Sequence, residues 1–189
     1  MNLNPIRHST ILKREETALL IIDIQEKIFR VMVNPEIVIQ NAIKLIEGFR
    51  ILGSPIFVTE QYPKGLGETE SRLKAVLKDI VPIQKLSFSC SGAGDLFETL
   101  KYKKIKQVAV AGIETHVCVQ QTALDLMVNG FQVSLAADAC SSRKEIDYNI
   151  AIERMRSADV IVTTTETILF ELLKVSGTDE FRKISKIIK

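Results

Sequence analysis

Short, nearly unbroken Val/Ile/Leu runs alternate with amphipathic segments along this chain, and that alternation restricts its fold more than any other feature. The runs are Ala18–Asp23 (ALLIID), Pro55–Thr59 (PIFVT), a brief one around Ile83 leading to Lys85, Gln107–Ala111, Phe131–Ala136 and Val160–Thr163. Strands apolar on nearly every residue belong to sheets covered on both faces, which are parallel sheets. Between them the spacing predicts helices. Asn34-Pro35 opens one whose apolar positions Ile39, Ile43, Ile46 and Phe49 recur at helical intervals until Gly53. Others are expected over Glu68–Lys78, Asp95–Lys101, His116–Val128, Lys144–Ser157, Thr165–Lys174 and Asp179–Ile187. Right-handed crossovers turn this order into an α/β fold: a three-layer, doubly wound, mostly parallel six-stranded sheet with helices on both faces. With 189 residues and neither repeat nor linker, residues 1–189 read as a single domain.

Charge narrows the partners. The 25 Lys+Arg against 23 Asp+Glu leave a net charge of +2, so no nucleic-acid partner is expected. Basic residues gather at Lys101, Lys103, Lys104 and Lys106, and at Arg182, Lys183, Lys186 and Lys189; both runs read as solvated surface. Met1 to Arg14 holds no apolar run of signal-peptide type and no stretch reaches transmembrane length, so no membrane association is expected. The three cysteines (Cys90, Cys118 and Cys140) are odd in number and lack C-x-x-C spacing. Free thiols in a reducing, cytoplasmic setting fit that usage.

In a doubly wound sheet, ligands sit beyond the carboxyl ends of the strands. Asp23 ends the first strand, Lys85 ends the third, and Cys118 follows the fourth. In Val108–Val119 (VAVAGIETHVCV) the strand stops at Gly112 and a short turn delivers Cys118 into the first turn of a helix. Uncompensated N–H groups there are expected to make the thiol more acidic than a free cysteine, and they can hold an oxyanion. Cys118 then reads as a nucleophile toward a carbonyl or similar carbon. Asp23 reads as the general base that takes the thiol proton and returns it to a leaving group. Lys85 would hold Asp23 and balance its charge, keeping it ionised. Gln25 either orients substrate or supports the strand end. Phe29, Tyr62 and Phe88 either line an apolar pocket over the thiol or belong to the core. His116 either touches substrate or a neighbouring subunit or is packed or exposed at the helix start, the latter favoured; Cys90, five residues after Lys85, either approaches the pocket or is structural, and Cys140 reads as structural. The Gly65-Leu66-Gly67 loop lacks the helix-opening spacing of a phosphate loop.

Three motifs carry a family resemblance: Asp-x-Gln after the first strand (Asp23, Gln25), Lys before Ser-x-Phe (Lys85, Ser87, Phe88), and Gly-x-x-Thr-x-x-Cys-Val (Gly112 to Val119). In this order they resemble the isochorismatase-like cysteine hydrolases, a superfamily that includes nicotinamidases and N-carbamoylsarcosine amidohydrolase. The similarity runs from about Thr17 to Leu173. The stretch Thr59–Gly67, with Gly112–Cys118 and Asp138–Arg143, looks most like the subgroup of isochorismatase domain-containing proteins. The resemblance implies an Asp23–Lys85–Cys118 triad, a non-proline cis peptide between Ile113 and Glu114, and an oxyanion hole built from the amides of Glu114 and Cys118. It also implies a hydrolase that cleaves a small-molecule C–N amide-type bond through an acyl-enzyme on Cys118, and that assembles as a homo-oligomer, a dimer or larger. The apolar Ile168, Leu169, Phe170, Leu172 and Leu173 either supply contact surface for that or pack on their own sheet.

Departures from the family pattern matter as well. Nicotinamidases carry an Asp-x-His metal motif with a further His, where this chain reads Thr59-Glu60-Gln61-Tyr62 and has only His8 and His116. No metal and no cofactor are therefore expected. Strict isochorismatases cleave a vinyl ether and lack the nucleophilic cysteine. Vinyl-ether hydrolysis with Asp23 as proton donor, and a non-catalytic scaffold retaining the fold, stand as the alternatives.

Overall fold

The computed structural model describes residues 7–189; the expectation for Met1 to Arg14 falls partly outside them. Six strands form one sheet: β1 (Thr17–Ile22), β2 (Ile56–Gln61), β3 (Ile83–Lys85), β4 (Gln107–Ile113), β5 (Gln132–Ser141) and β6 (Ile161–Thr163). Their order is β3-β2-β1-β4-β5-β6 and every pairing is parallel, not merely most of them. The direction of winding reverses between β1 and β4, so the ends of these two strands define the switch point.

The helices are α1 (Glu26–Phe29), α2 (Pro35–Leu52), α3 (Pro63–Leu66), α4 (Ser71–Leu77), α5 (Leu96–Tyr102), α6 (Gln120–Val128), α7 (Glu145–Ser157), α8 (Thr165–Leu173) and α9 (Asp179–Ile188). Side chains alternate across a strand, and β1 and β4 use that alternation to feed two cores. Leu19 and Ile21 join Ala109, Ala111 and Ile113 in a cluster under α2 and α8. Leu20 and Ile22 join Val108 and Val110 in the opposite cluster, with α5, α6 and Cys118. Among the described residues, no helix is long and apolar enough to cross a membrane.

Pro35 opens α2 and Gly53, at φ +69°, closes it, as the sequence requires. The helix expected over Glu68–Lys78 starts later. Glu26 N–H donates to Glu68 O and Glu70 N–H to Ile24 O, so this backbone is used by the segment after β1. Glu70 instead caps α4, its carboxylate accepting from Arg72 N–H at 2.7 Å and Leu73 N–H at 3.3 Å. β5 runs five residues beyond the expected Ala136, so Cys140 lies within it rather than after it. A bulge makes this possible: Val110 pairs with Leu135, yet Gly112 pairs with Cys140. The bulge carbonyls find side-chain donors, Tyr148 on Ala137 O and Asn41 on Asp138 O. Ile168, Leu169, Leu172 and Leu173 pack inward against the chain's own core, and Phe170 alone of this set is exposed.

Candidate active site

Strand ends bring the reactive groups together. Asp23 follows β1 in a left-handed conformation at φ +51°, its N–H donating to Thr59 O. Its side chain is engaged on both oxygens. Thr59 Oγ donates to Oδ1 at 2.7 Å, and Lys85 Nζ donates to Oδ2 at 2.5 Å. Lys85 also donates to Ser87 O at 3.1 Å and Phe88 O at 2.9 Å. An ammonium has three donors, and all three are used. Both side chains of this pair are buried. Lys85 is thus a fixed cation beside a buried carboxylate.

Cys118 arrives from the other side of the switch point. Gly112, at φ +142°, pairs with Ile22, and a Cβ there would lie 2.2 Å from Ile22 O. Only glycine lets the two backbones approach this closely. The Ile113–Glu114 peptide beyond it is cis. Glu114 is anchored by its side chain, which accepts from Arg143 N–H at 3.1 Å and Arg143 Nε at 2.9 Å. Its carbonyl accepts from Val117 and Val119 N–H, closing a π-helical turn over Thr115–Val119 ahead of α6. Cys118 sits in that turn, 7% exposed.

The electrostatics correct one expectation. The Cys118 thiol is held well above the ordinary cysteine range, not below it. Burial is the first cause and the Asp23 carboxylate the second; Lys85 opposes them only in part. Asp23 is also raised, by burial, against the counteracting Lys85, Thr59 and Cys118. A more basic carboxylate beside a protonated thiol can take up that thiol's proton.

The other expected residues separate. Gln25 is fully buried and spends its amide on backbone: Nε2 donates to Gln61 O and Gly67 O, and Oε1 accepts from Gln61 N–H. Phe29 is buried in the cluster on the opposite face from Cys118, with the Arg72 guanidinium 5.9 Å above its ring. Tyr62 and Phe88 are half exposed, at 49% and 53%. Tyr62, Lys64, Gln84 and Ser87 border a cleft of about 740 Å³ that Lys85 also lines. His116 Nδ1 lies 2.9 Å from Ser142 Oγ. Cys140 is buried deep in β5, its thiol pushed up to about 12 by burial. One contributor escaped the sequence reading: Thr59, which holds Asp23. Cys90, open between an approach to the pocket and a structural role, lies 3.7 Å from Thr59 Oγ. Thr59 ends the expected second strand, so the strand-end rule pointed to it. Among the described residues, no cluster of three or more His, Cys, Asp or Glu has metal-site geometry.

An all-parallel three-layer α/β sheet of this order, with these groups at its carboxyl edge, places the molecule among the isochorismatase-like α/β folds. The chain belongs to the isochorismatase family: residues 17–167 match the family model described as the isochorismatase domain. It is 42% identical over 147 residues to isochorismatase domain-containing protein 1 of Salmo salar, covering 77% of this chain and 51% of that one. The chain thus spans about half the length of that relative. It is 39% identical over 177 residues to isochorismatase domain-containing protein 2 of Rattus norvegicus, covering 93% and 82% of the two chains. The solved structure named MAR1 ribonuclease from Caenorhabditis elegans is 37% identical, with TM-score 0.88 over 94% of this chain and 91% of that one.

Proposed function

We propose that the protein is a cysteine hydrolase that needs no cofactor, cleaving a small-molecule C–N amide-type bond through an acyl-enzyme on Cys118. The observation that carries this reading is a buried Asp23, tied to Lys85 at 2.5 Å, facing the Cys118 thiol at the switch point. Asp23 takes the thiol proton, and the thiolate attacks the carbonyl carbon. The amides of Glu114 and Cys118 receive the developing oxyanion. The C–N bond then breaks, its nitrogen taking the proton from Asp23, and a thioester remains on Cys118. Water, deprotonated by Asp23, attacks the thioester and releases acid and free thiol. Lys85 keeps its three donors occupied throughout and stabilises the ionised form of Asp23. The protein acts as a homo-oligomer in this reading, as the family resemblance implies.

Intact-mass trapping during turnover of an amide library tests the proposal. An acyl adduct is expected on Cys118, absent in Cys118→Ala and in folded Asp23→Asn, with turnover reduced at least about a hundredfold in both. Hydrolysis undiminished in Cys118→Ala would end the proposal. Vinyl-ether turnover that survives Cys118→Ala but fails in Asp23→Asn would assign the chemistry to Asp23 instead. An RNA oligonucleotide belongs in the same panel, given the name of the Caenorhabditis elegans structure.

A further inference from the structure

We propose that Thr59, backed by Cys90, is a positioning residue that presents the Asp23 carboxylate to Cys118 and sets the proton affinity of that pair. The inference rests on the reading of Asp23 and Cys118 as base and nucleophile, and extends it to two residues that act through the Asp23 carboxylate.

Directionality follows from donor and acceptor counting. An ionised carboxylate only accepts, so the single Thr59 proton must lie on its 2.7 Å bond to Asp23 Oδ1. The Thr59 oxygen therefore faces Cys90 Sγ, 3.7 Å away, with lone pairs, and Cys90 is the donor. Burial holds that thiol protonated, at about 11. Cys90 is itself fixed, its backbone N–H donating to Thr122 Oγ at 2.9 Å. The chain thus reads Cys90 S–H to Thr59 O–H to Asp23 Oδ1, while Lys85 grips Oδ2 at 2.5 Å. With one oxygen held from β2 and the other from the end of β3, the carboxylate cannot rotate about its own axis without losing a donor. The remaining lone pairs are the ones left for Cys118.

The titratable and charged groups around Asp23 are Lys85 from β3, Cys90 from the turn after it, and Cys118 from the π turn. In the proton step the Cys118 S–H bond breaks, an Asp23 O–H bond forms, and the electron pair stays on sulfur. Thr59 and Lys85 favour the ionised carboxylate before this step, so they set the pH at which the pair gives up its first proton. Removing the Thr59 hydroxyl makes the carboxylate harder to ionise.

The pH profile of iodoacetamide alkylation at Cys118, read by intact mass with Cys118→Ala as background, measures that first proton loss without a known substrate. Thr59→Val is expected to move the acid limb upward by about one pH unit, a tenfold change in proton affinity. Thr59→Ser should return it to the wild-type position. Cys90→Ala should move it in the same direction by less, and serves as the deciding variant if Thr59→Val does not fold. A folded Thr59→Val, or in its place Cys90→Ala, whose limb coincides with the wild type would overturn the proposal, even if its melting temperature falls. Wild-type protein that shows no acid limb at Cys118 would instead remove the nucleophile reading, a distinct result.

Discussion

Gln25 shows how burial decides between a residue that binds and one that holds. Its amide makes three hydrogen bonds to the backbone of Gln61 and Gly67, at 3.0, 2.6 and 2.8 Å, with no exposed surface. A side chain so committed joins the end of β2 to the loop after α3 and has no donor left to offer. Gln25→Ala strands these backbone groups away from water, and each costs on the order of 1 kcal/mol or more when unsatisfied. The variant should lose about 2–3 kcal/mol, read as a melting temperature lower by roughly 6–10 °C. Unchanged melting would mean that water enters and replaces the amide. From sequence alone Gln25 stood evenly between two roles, because Asp-x-Gln spacing places it near the site without showing where its amide points. Cys118 was mis-read in a related way. Its place at a strand-to-helix turn was legible, and its acidity was not, because burial and the Asp23 charge come from residues distant in sequence.

At the scale of elements, the candidate site depends on β1 and β4 approaching at Gly112 closely enough to bring Asp23, just after β1, beside the turn after β4 that carries Cys118. The carbonyl of Ile22 occupies the place of a side chain at position 112, and the φ of +142° is closed to ordinary L-residues. Gly112→Ala must therefore push β1 away from β4 or shift the chain beyond it. A loss of about 3 kcal/mol or more is expected in urea unfolding, with Cys118 alkylation altered in whatever fraction still folds. A variant with wild-type unfolding midpoint and wild-type alkylation would show that the strand spacing has slack. The long elements were legible from sequence: α2 announces itself through Pro35, a helical apolar period and Gly53, and the central strands through unbroken apolar runs. What stayed hidden was short or non-local. α1 and α3 have four residues each, too few to display a period. The extension of β5 depends on a bulge whose carbonyls are satisfied by Asn41 and Tyr148, which no local pattern announces.

The molecule as a whole carries its thiols in the protonated state, and this makes alkali its weak side. Burial pushes Cys90 up to about 11 and Cys140 up to about 12, from an ordinary value of 9.0. Burial likewise raises the Tyr148 phenol from 10.0 to about 12. A group whose folded value lies above its unfolded one stabilises the fold fully below the unfolded value, and that contribution drains away as pH climbs toward the folded value. Above about pH 9 the unfolded chain sheds these protons while the folded one keeps them. Each thiol then withdraws at most about 1.4 kcal/mol of stability per pH unit, so Cys90 and Cys140 together withdraw about 4 kcal/mol in all between pH 9 and 11. Tyr148 adds to this loss above pH 10. Urea unfolding at half-unit intervals from pH 8 to 11 should trace a steep fall beginning near pH 9. Cys140→Ala begins from lower stability, since it empties part of the β5 core, yet its slope should be shallower by about 1.4 kcal/mol per pH unit. Parallel slopes for the variant and the wild type would show that Cys140 is ionised in the folded state at the same pH as in the unfolded chain. The same experiment at Cys90 links this global property to the site, because the thiol that resists ionisation there is the one that donates to Thr59.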